Sequence, residues 1–279
     1  MLFKAPAKIN IFLRVLRKRS DNYHDIASLI QKITLYDELR FSLRPQGIIL
    51  NCPDSDLPNT ADNLVFRAAR AIFDHANYTS GIEITLNKKI PQAAGLGGGS
   101  SDAASTLMAI NEICSLNLKK IQLMEIGAKL GADVPFFIFS NAALAYGIGD
   151  KLKDIPNLPK LNLLLINPGF PLSTKVVYEN LNLRLTREKI NYSIPPIFTL
   201  RSVISELHND LESVSLKMHP ELENLKQLLL DHGAQGALMS GSGPTLFGIF
   251  IDENSAKKAL DSIKHEVPFK CDVIFAQSL

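Results

Sequence analysis

The stretch PQAAGLGGGSSDAAS, residues 91–105, places four glycines and two serines within the seven residues 95–101 and then runs straight into helix-forming alanines. Glycine loses more conformational freedom on folding than any other residue, so a cluster like this marks backbone that comes very close to something. Upstream, Ile82, Ile84 and Leu86 alternate with Glu83, Thr85 and Asn87, the period of a strand; downstream, residues 102–113 read as a helix. The segment therefore predicts strand, glycine turn, helix. A helix N-terminus offers unpaired N–H groups and a partial positive charge, which suits a polyphosphate. Ser100 and Ser101 add hydroxyls there, and one of them could ligate a magnesium ion at the phosphates.

Two well-known phosphate loops do not fit. No lysine follows a glycine in this stretch, as G-x-x-x-x-G-K-[ST] requires, and G-x-G-x-x-G begun at Gly95 meets Ser100 at its last position. A turn that only lets a helix pack on a sheet is the alternative. One glycine would favour it, whereas Gly95, Gly97, Gly98 and Gly99 together favour close approach to a ligand.

Working outward, the N-terminal segment reads as a strand with Phe3, Ala5, Ala7, Ile9, Ile11, Leu13 and Val15 on one face. Lys4, Lys8, Asn10 and Arg14 occupy the other, with Lys8 and Asn10 about 6.6 Å apart along it. Residues 28–41 read as extended, 63–76 and 121–130 as helices, and Asp133 precedes Pro135 just after a helix closed by Gly131. Residues 149–159, with Pro156, Pro159 and no periodicity, suit a domain link, giving domains 1–154 and 155–279. Beyond it come a strand at 161–166, helices at 174–181, 199–207 and 221–231, apolar runs at 236–239 and 245–251 around the turn SGSGP, a helix at 255–264 and a strand at 271–275. Setting the inserted helices aside, strand, helix, strand, strand, helix, strand predicts a ferredoxin-like α+β layer.

A net charge of +2 gives no reason to expect a nucleic acid or a membrane surface as partner. Cys52, Cys114 and Cys271 are far apart and carry no zinc-type spacing, which points to a reducing compartment. No apolar run approaches the length of a membrane span and no signal-peptide core is present, so a cytoplasmic location is expected.

The glycine stretch resembles the ATP-binding motif of the GHMP kinases (galactokinase, homoserine kinase, mevalonate kinase and phosphomevalonate kinase). PAKINIFLRV near the start and LMSGSGPTLFGIF near the end are similar to the other two family motifs, in the same order. The resemblance spans nearly the whole chain and implies a two-domain α+β GHMP kinase fold with ATP as co-substrate and Mg2+. The combination PAKIN, NYHDI and GLGGGSSDAA is most similar to the branch of the family that phosphorylates a cytidyl diphosphate polyol in isoprenoid precursor synthesis.

By that resemblance Pro91, Ala94, Gly95, Leu96, Gly97, Gly98, Gly99, Ser100 and Ser101 would bind ATP with Lys88 nearby, and Gly241, Ser242 and Gly243 would brace the phosphates. Asp133 matches the family's base and Lys8 the lysine that works with it. Tyr23, His24 and Tyr178 would hold the cytosine, and Asn10 the polyol end. Asn22 stands where the family has glycine before the Tyr-His pair; asparagine tolerates left-handed backbone better than most residues. Asp150 stands where a glutamate is usual. The resemblance leaves the oligomeric state at monomer or homodimer and the metal ligands unassigned. Kinases of the family acting on mevalonate, its phosphate or a sugar need no base-stacking site. A non-catalytic ATP-binding regulator would be expected to lack Lys8 or Asp133.

Overall fold

The computed structural model describes residues 1–53, 55–181, 199–268 and 270–279. In chain order its elements are β1 (Leu2–Lys18), β2 (His24–Arg44), β3 (Ile48–Asn51), α1 (Leu64–Ala76), β4 (Gly81–Asn87), α2 (Gly98–Ile113), α3 (Lys120–Ala128), α4 (Val134–Phe139), β5 (Ala142–Gly147) and β6 (Lys151–Asp154). There follow β7 (Asn162–Asn167), α5 (Thr174–Glu179), α6 (Leu200–Ser205), β8 (His208–Asn209), α7 (Glu212–Met218), α8 (Glu221–Asp231), β9 (Gly236–Met239), β10 (Leu246–Phe250), α9 (Glu253–Glu266) and β11 (Asp272–Gln277). They form two compact units. The first comprises Met1–Ala7, Leu35–Ile90 and Gly97–Ser140; the second Lys8–Thr34, Pro91–Leu96 and Asn141–Leu279.

In the first unit β4 lies between β2, to which it is antiparallel, and β3, to which it is parallel. Helix α1 is amphipathic as its spacing predicts: Val65, Ala68, Ala69, Ile72 and Phe73 are buried, and the Asn63 side chain caps its start by accepting from Val65 N at 2.9 Å. Helix α2 is buried on almost every side, including Ser101, Asp102, Ser105 and Thr106. Its small residues Ala103, Ala104 and Ala109 let it pack against both α1 and α4.

In the second unit a four-stranded antiparallel sheet has the order β11-β7-β10-β9. With α8 and α9 packed on one face through Leu222, Leu225, Leu229, Ala256, Ala259 and Ile263, this is the ferredoxin-like layer that the order of elements predicts. The same unit contains the hairpin ends of β1 and β2, β5 paired with β2, and β8 lying parallel to β1 at Phe12 and Leu13. Residues 149–159, expected as an unstructured link, contain β6, which pairs with β5.

The first strand departs from its expected two-faced character. Lys8 is 5% exposed and Asn10 4%, so these two polar residues of the second face are buried rather than solvated, while Lys4 is exposed and Arg14 half-buried. Buried polar groups are costly unless paired, which makes that stretch of β1 a place to look for function.

Candidate active site

Within the second unit, pieces of all three sequence motifs meet. Lys8 N donates to Leu96 O at 2.9 Å, joining β1 to the first half of the glycine stretch. Ser240 Oγ donates to Gly95 O at 2.9 Å, and Thr245 N to Ala94 O at 3.4 Å, joining the glycine stretch to the SGSGP turn. The Lys8 and Asn10 side chains reach the same turn. A side chain built on Gly241 would begin 3.2 Å from Lys8 Nζ and 3.4 Å from Asn10 Oδ1. Gly241 and Gly243 have φ of +58° and +83°, a backbone that glycine adopts without strain.

Lys8 is held by a short buried chain of hydrogen bonds. Its Nζ donates to Asn10 Oδ1 at 2.5 Å, Asn10 Nδ2 donates to Ser28 Oγ at 2.8 Å, and Ser28 Oγ donates to Phe12 O at 2.7 Å. Because the Ser28 hydroxyl spends its one proton on a carbonyl, it must accept from Asn10, and the Asn10 oxygen is thereby turned to the ammonium. On the turn itself, Asn209 donates from Nδ2 to Met239 O and Gly241 O at 2.8 and 2.7 Å, and Ser242 Oγ hydrogen-bonds Thr174 Oγ1 at 2.8 Å. Ser28, Asn209 and Thr174 belong to no motif and were not legible in the sequence.

The second half of the glycine stretch belongs to the first unit. Gly97, with φ +68°, is the N-cap of α2 and makes no side-chain cap, so the first N–H groups of the helix have no side-chain acceptor there. The helix starts at Gly98, four residues before Asp102, where the spacing in the sequence placed its beginning. Ser100 Oγ stands 3.8 Å from where a side chain on Gly131 would begin, which puts the start of α2 beside the turn that carries Asp133. Asp133 is the N-cap of α4, yet its side chain accepts no capping hydrogen bond. Its carboxylate is half-buried and makes no hydrogen bond or ion pair among the described residues.

Several expected ATP contacts occupy structural roles. Ala94 and Leu96 are 2% and 1% exposed, their side chains in the core. Pro91 is half-buried at the head of the stretch. A side chain on Gly98 would meet Ile90 Cγ2 at 3.0 Å and Lys88 Nζ at 3.2 Å, so that glycine answers to its own protein, whereas one on the exposed Gly99 would meet only Leu64 Cδ1 at 3.5 Å. The Lys88 ammonium is buried between two carboxylates, Asp37 and Asp102, rather than extended into solvent.

In the hairpin between β1 and β2, Asn22 has φ +66°, the left-handed conformation that its place in the turn requires. Arg19 N donates to Tyr23 O at 2.8 Å to close the turn. Tyr23 is 60% exposed. The His24 ring packs on Tyr178 with centroids 4.9 Å apart and planes 31° from parallel, so no base fits between these two rings. Burial, and then the nearby Lys18, lower the His24 pKa and favour the neutral imidazole.

In the second unit, then, a buried lysine on a strand lies against the backbone of two glycine loops. Family models described as "GHMP kinases N terminal domain" and "GHMP kinases C terminal" match residues 63–141 and 199–268. The chain belongs to the GHMP kinase family, and it is a small-molecule kinase using ATP as co-substrate.

Within that family its similarity is to one enzyme in particular. It is 58% identical over 255 residues to the 4-diphosphocytidyl-2-C-methyl-D-erythritol kinase of Syntrophus aciditrophicus (strain SB), covering 91% of each chain. It is 48% identical over 263 residues to the enzyme of the same name from Syntrophotalea carbinolica, covering 94% of this chain and 93% of that one. A crystal structure of a 4-(cytidine 5'-diphospho)-2C-methyl-D-erythritol kinase superposes with a TM-score of 0.84 at 30% identity, covering 100% of both chains. The Methanococcus jannaschii mevalonate kinase, at 15% identity, a TM-score of 0.74 and coverage of 100% and 98%, shares the fold. No helix among the described residues is long and apolar enough to cross a membrane.

Proposed function

We propose that this protein transfers the γ-phosphoryl group of ATP to the 2-hydroxyl of 4-diphosphocytidyl-2-C-methyl-D-erythritol, giving the 2-phosphate and ADP, in the non-mevalonate route to isoprenoid precursors. The names of relatives 46–58% identical over more than nine-tenths of the chain support the substrate. The observation that carries the reading is the meeting of Lys8 and Asn10 with the backbone of both glycine loops in the second unit.

Phosphoryl transfer asks a protein chiefly for positioning and for charge at the transferring group. The glycine backbone at residues 95–101 and 241–243 takes the phosphates, with the α2 N-terminus supplying N–H donors. Lys8, its ammonium aimed by Asn10, steadies the negative charge that grows on the attacking oxygen. Asp133, free of any cap, accepts the hydroxyl proton. Tyr23 stacks on the cytosine, with His24 and Tyr178 forming one packed wall of that subsite.

Magnesium fits the donors present. Ser100 and Ser101 offer hydroxyl oxygens at the helix start, and the Ser101 hydroxyl is buried without a hydrogen-bond partner. Among the described residues no group of three His, Cys, Asp or Glu side chains could hold a metal, so the ion would be held largely by the phosphates. When bound it neutralises phosphate charge.

We further place the protein in the cytoplasm, as a monomer or homodimer, with domains at 1–154 and 155–279; the two matched family segments fall on either side of that boundary. The test is ADP release by purified protein given ATP, magnesium and a panel of acceptors. Turnover of the cytidyl compound, and not of mevalonate, homoserine or galactose, is expected. Equal turnover of mevalonate would overturn the assignment.

A further inference from the structure

Beneath the start of α2 lies a buried group of three charges that the proposed chemistry does not use. Lys88, just past the end of β4, donates from Nζ to Asp102 at 2.8 Å and makes a shorter hydrogen bond to Asp37 on β2. The side chains of Lys88, Asp37 and Asp102 are 8%, 0% and 2% exposed. The other Asp37 oxygen accepts from the main-chain N–H groups of Lys89 and Ile90, at 2.5 and 2.9 Å.

Stability does not explain this arrangement. Desolvating ions is so costly that apolar side chains of similar volume often serve a fold as well or better. Its place in the fold suggests another role. The Lys88 ammonium stands 3.2 Å from where a Gly98 side chain would begin, directly under the first residue of α2. A helix N-terminus carries partial positive charge, so an unrestrained ammonium there would be repelled. Two carboxylates hold it. Asp102 lies four residues further into the helix, roughly 6 Å along the axis, so this carboxylate sits deep and the cation toward the helix end. The three side chains also fix the two ends of the phosphate segment: Asp37 holds residues 88–90 before it, and Asp102 ties Lys88 to the helix after it.

We propose that Asp37 and Asp102 are positioning residues for ATP: acting through Lys88, they hold the start of α2 in the geometry that receives the phosphates and keep a cation beneath it. The proposal rests on the reading that this loop binds ATP.

The test is calorimetric titration of ATP with magnesium, and separately of the cytidyl acceptor, into the parent, Asp102→Asn, Lys88→Met and the apolar double variant Lys88→Met with Asp102→Leu, each with its melting temperature. The two single variants should bind ATP about 10- to 100-fold more weakly, the loss expected of a hydrogen bond to a charged group, with acceptor affinity unchanged. The double variant, free of an unpaired charge from Asp102 or Lys88, should regain thermal stability without regaining ATP affinity. Folded variants that bind ATP as the parent does would overturn the proposal. So would a double variant that regains both stability and ATP affinity, or equal losses for both ligands, since each marks a structural role. A parent that binds no ATP would instead refute the function proposed above.

Discussion

Gly95 and Ser240, 145 residues apart in sequence, meet at close range: the Ser240 side-chain hydroxyl donates to Gly95 O at 2.9 Å, and a side chain on Gly95 would begin 2.0 Å from the main-chain Ser240 O. Gly95 also has φ +76°. The glycines of the stretch are therefore there for different reasons. Gly95 admits the second glycine loop, Gly97 turns the chain into α2, and Gly98 makes room for Ile90 and Lys88. Gly99 alone of the four is exposed with ordinary space around it.

That difference separates folding from binding. Gly95→Ala combines a main-chain clash with left-handed strain and should destabilise the protein by about 3 kcal/mol or more, read from denaturant unfolding. Gly99→Ala should leave stability intact or raise it by up to about 1 kcal/mol, because alanine suits a helix better. Its ATP affinity should nonetheless fall. Parent-like affinity in Gly99→Ala would mean that the phosphates do not approach the backbone at this residue.

Tyr23 is exposed, so its truncation should not disturb the fold. Stacking contributes about 1–3 kcal/mol per base, so Tyr23→Ala should raise the acceptor KM roughly 5- to 150-fold with ATP affinity unchanged. An unchanged acceptor KM would remove Tyr23 from the base subsite.

The proton uptake of Asp102 gives a pH prediction. Burial, outweighing the attraction of Lys88 and aided by the repulsion of Asp37, raises its pKa from 3.8 to about 7. Burial pushes Lys88 down, but its two carboxylates outweigh this and its pKa rises, so Lys88 stays charged throughout that range. Between 3.8 and about 7 the folded protein holds a proton on Asp102 that the unfolded chain has released, so this group's contribution to stability falls as pH rises through that window. Asp102→Asn should flatten that part of the stability profile. An identical slope in the variant would show that Asp102 does not titrate there.

Removing the proposed proton acceptor should affect rate rather than binding. Asp133→Asn, which breaks no cap, should lower kcat about 10²- to 10⁴-fold with both ligand affinities nearly kept. Lys8→Met should cost a comparable factor. If the two act as one unit, the double variant should be little worse than either single; strictly multiplicative losses would show that they act separately.

How much of this was legible in the sequence follows from which interactions are local. Helix α1 was readable because its apolar spacing and its Asn63 cap are both local signals. The ferredoxin-like layer was readable because its strands are apolar runs separated by turns. Strand β5, AALAYG, was missed because alanines carry little strand signal, and α7 because only Ser215 of its residues is buried. The glycine loops and Asp133 stood out through resemblance. The burial of Lys8 and Asn10 did not, since alternation along a strand cannot distinguish a solvated polar face from a buried one. Asp37 is 51 residues from Lys88, and Asn209 is 32 from Gly241; pairings that distant leave no local pattern.

The most direct measurement is phosphorus NMR of the reaction mixture with ATP, magnesium and 4-diphosphocytidyl-2-C-methyl-D-erythritol, followed over time beside the same mixture containing mevalonate. A new phosphomonoester signal, coupled to the polyol and growing in step with ADP only in the cytidyl mixture, is the predicted result. ADP accompanied by free phosphate and no phosphomonoester, or a phosphomonoester formed equally well from mevalonate, would contradict it.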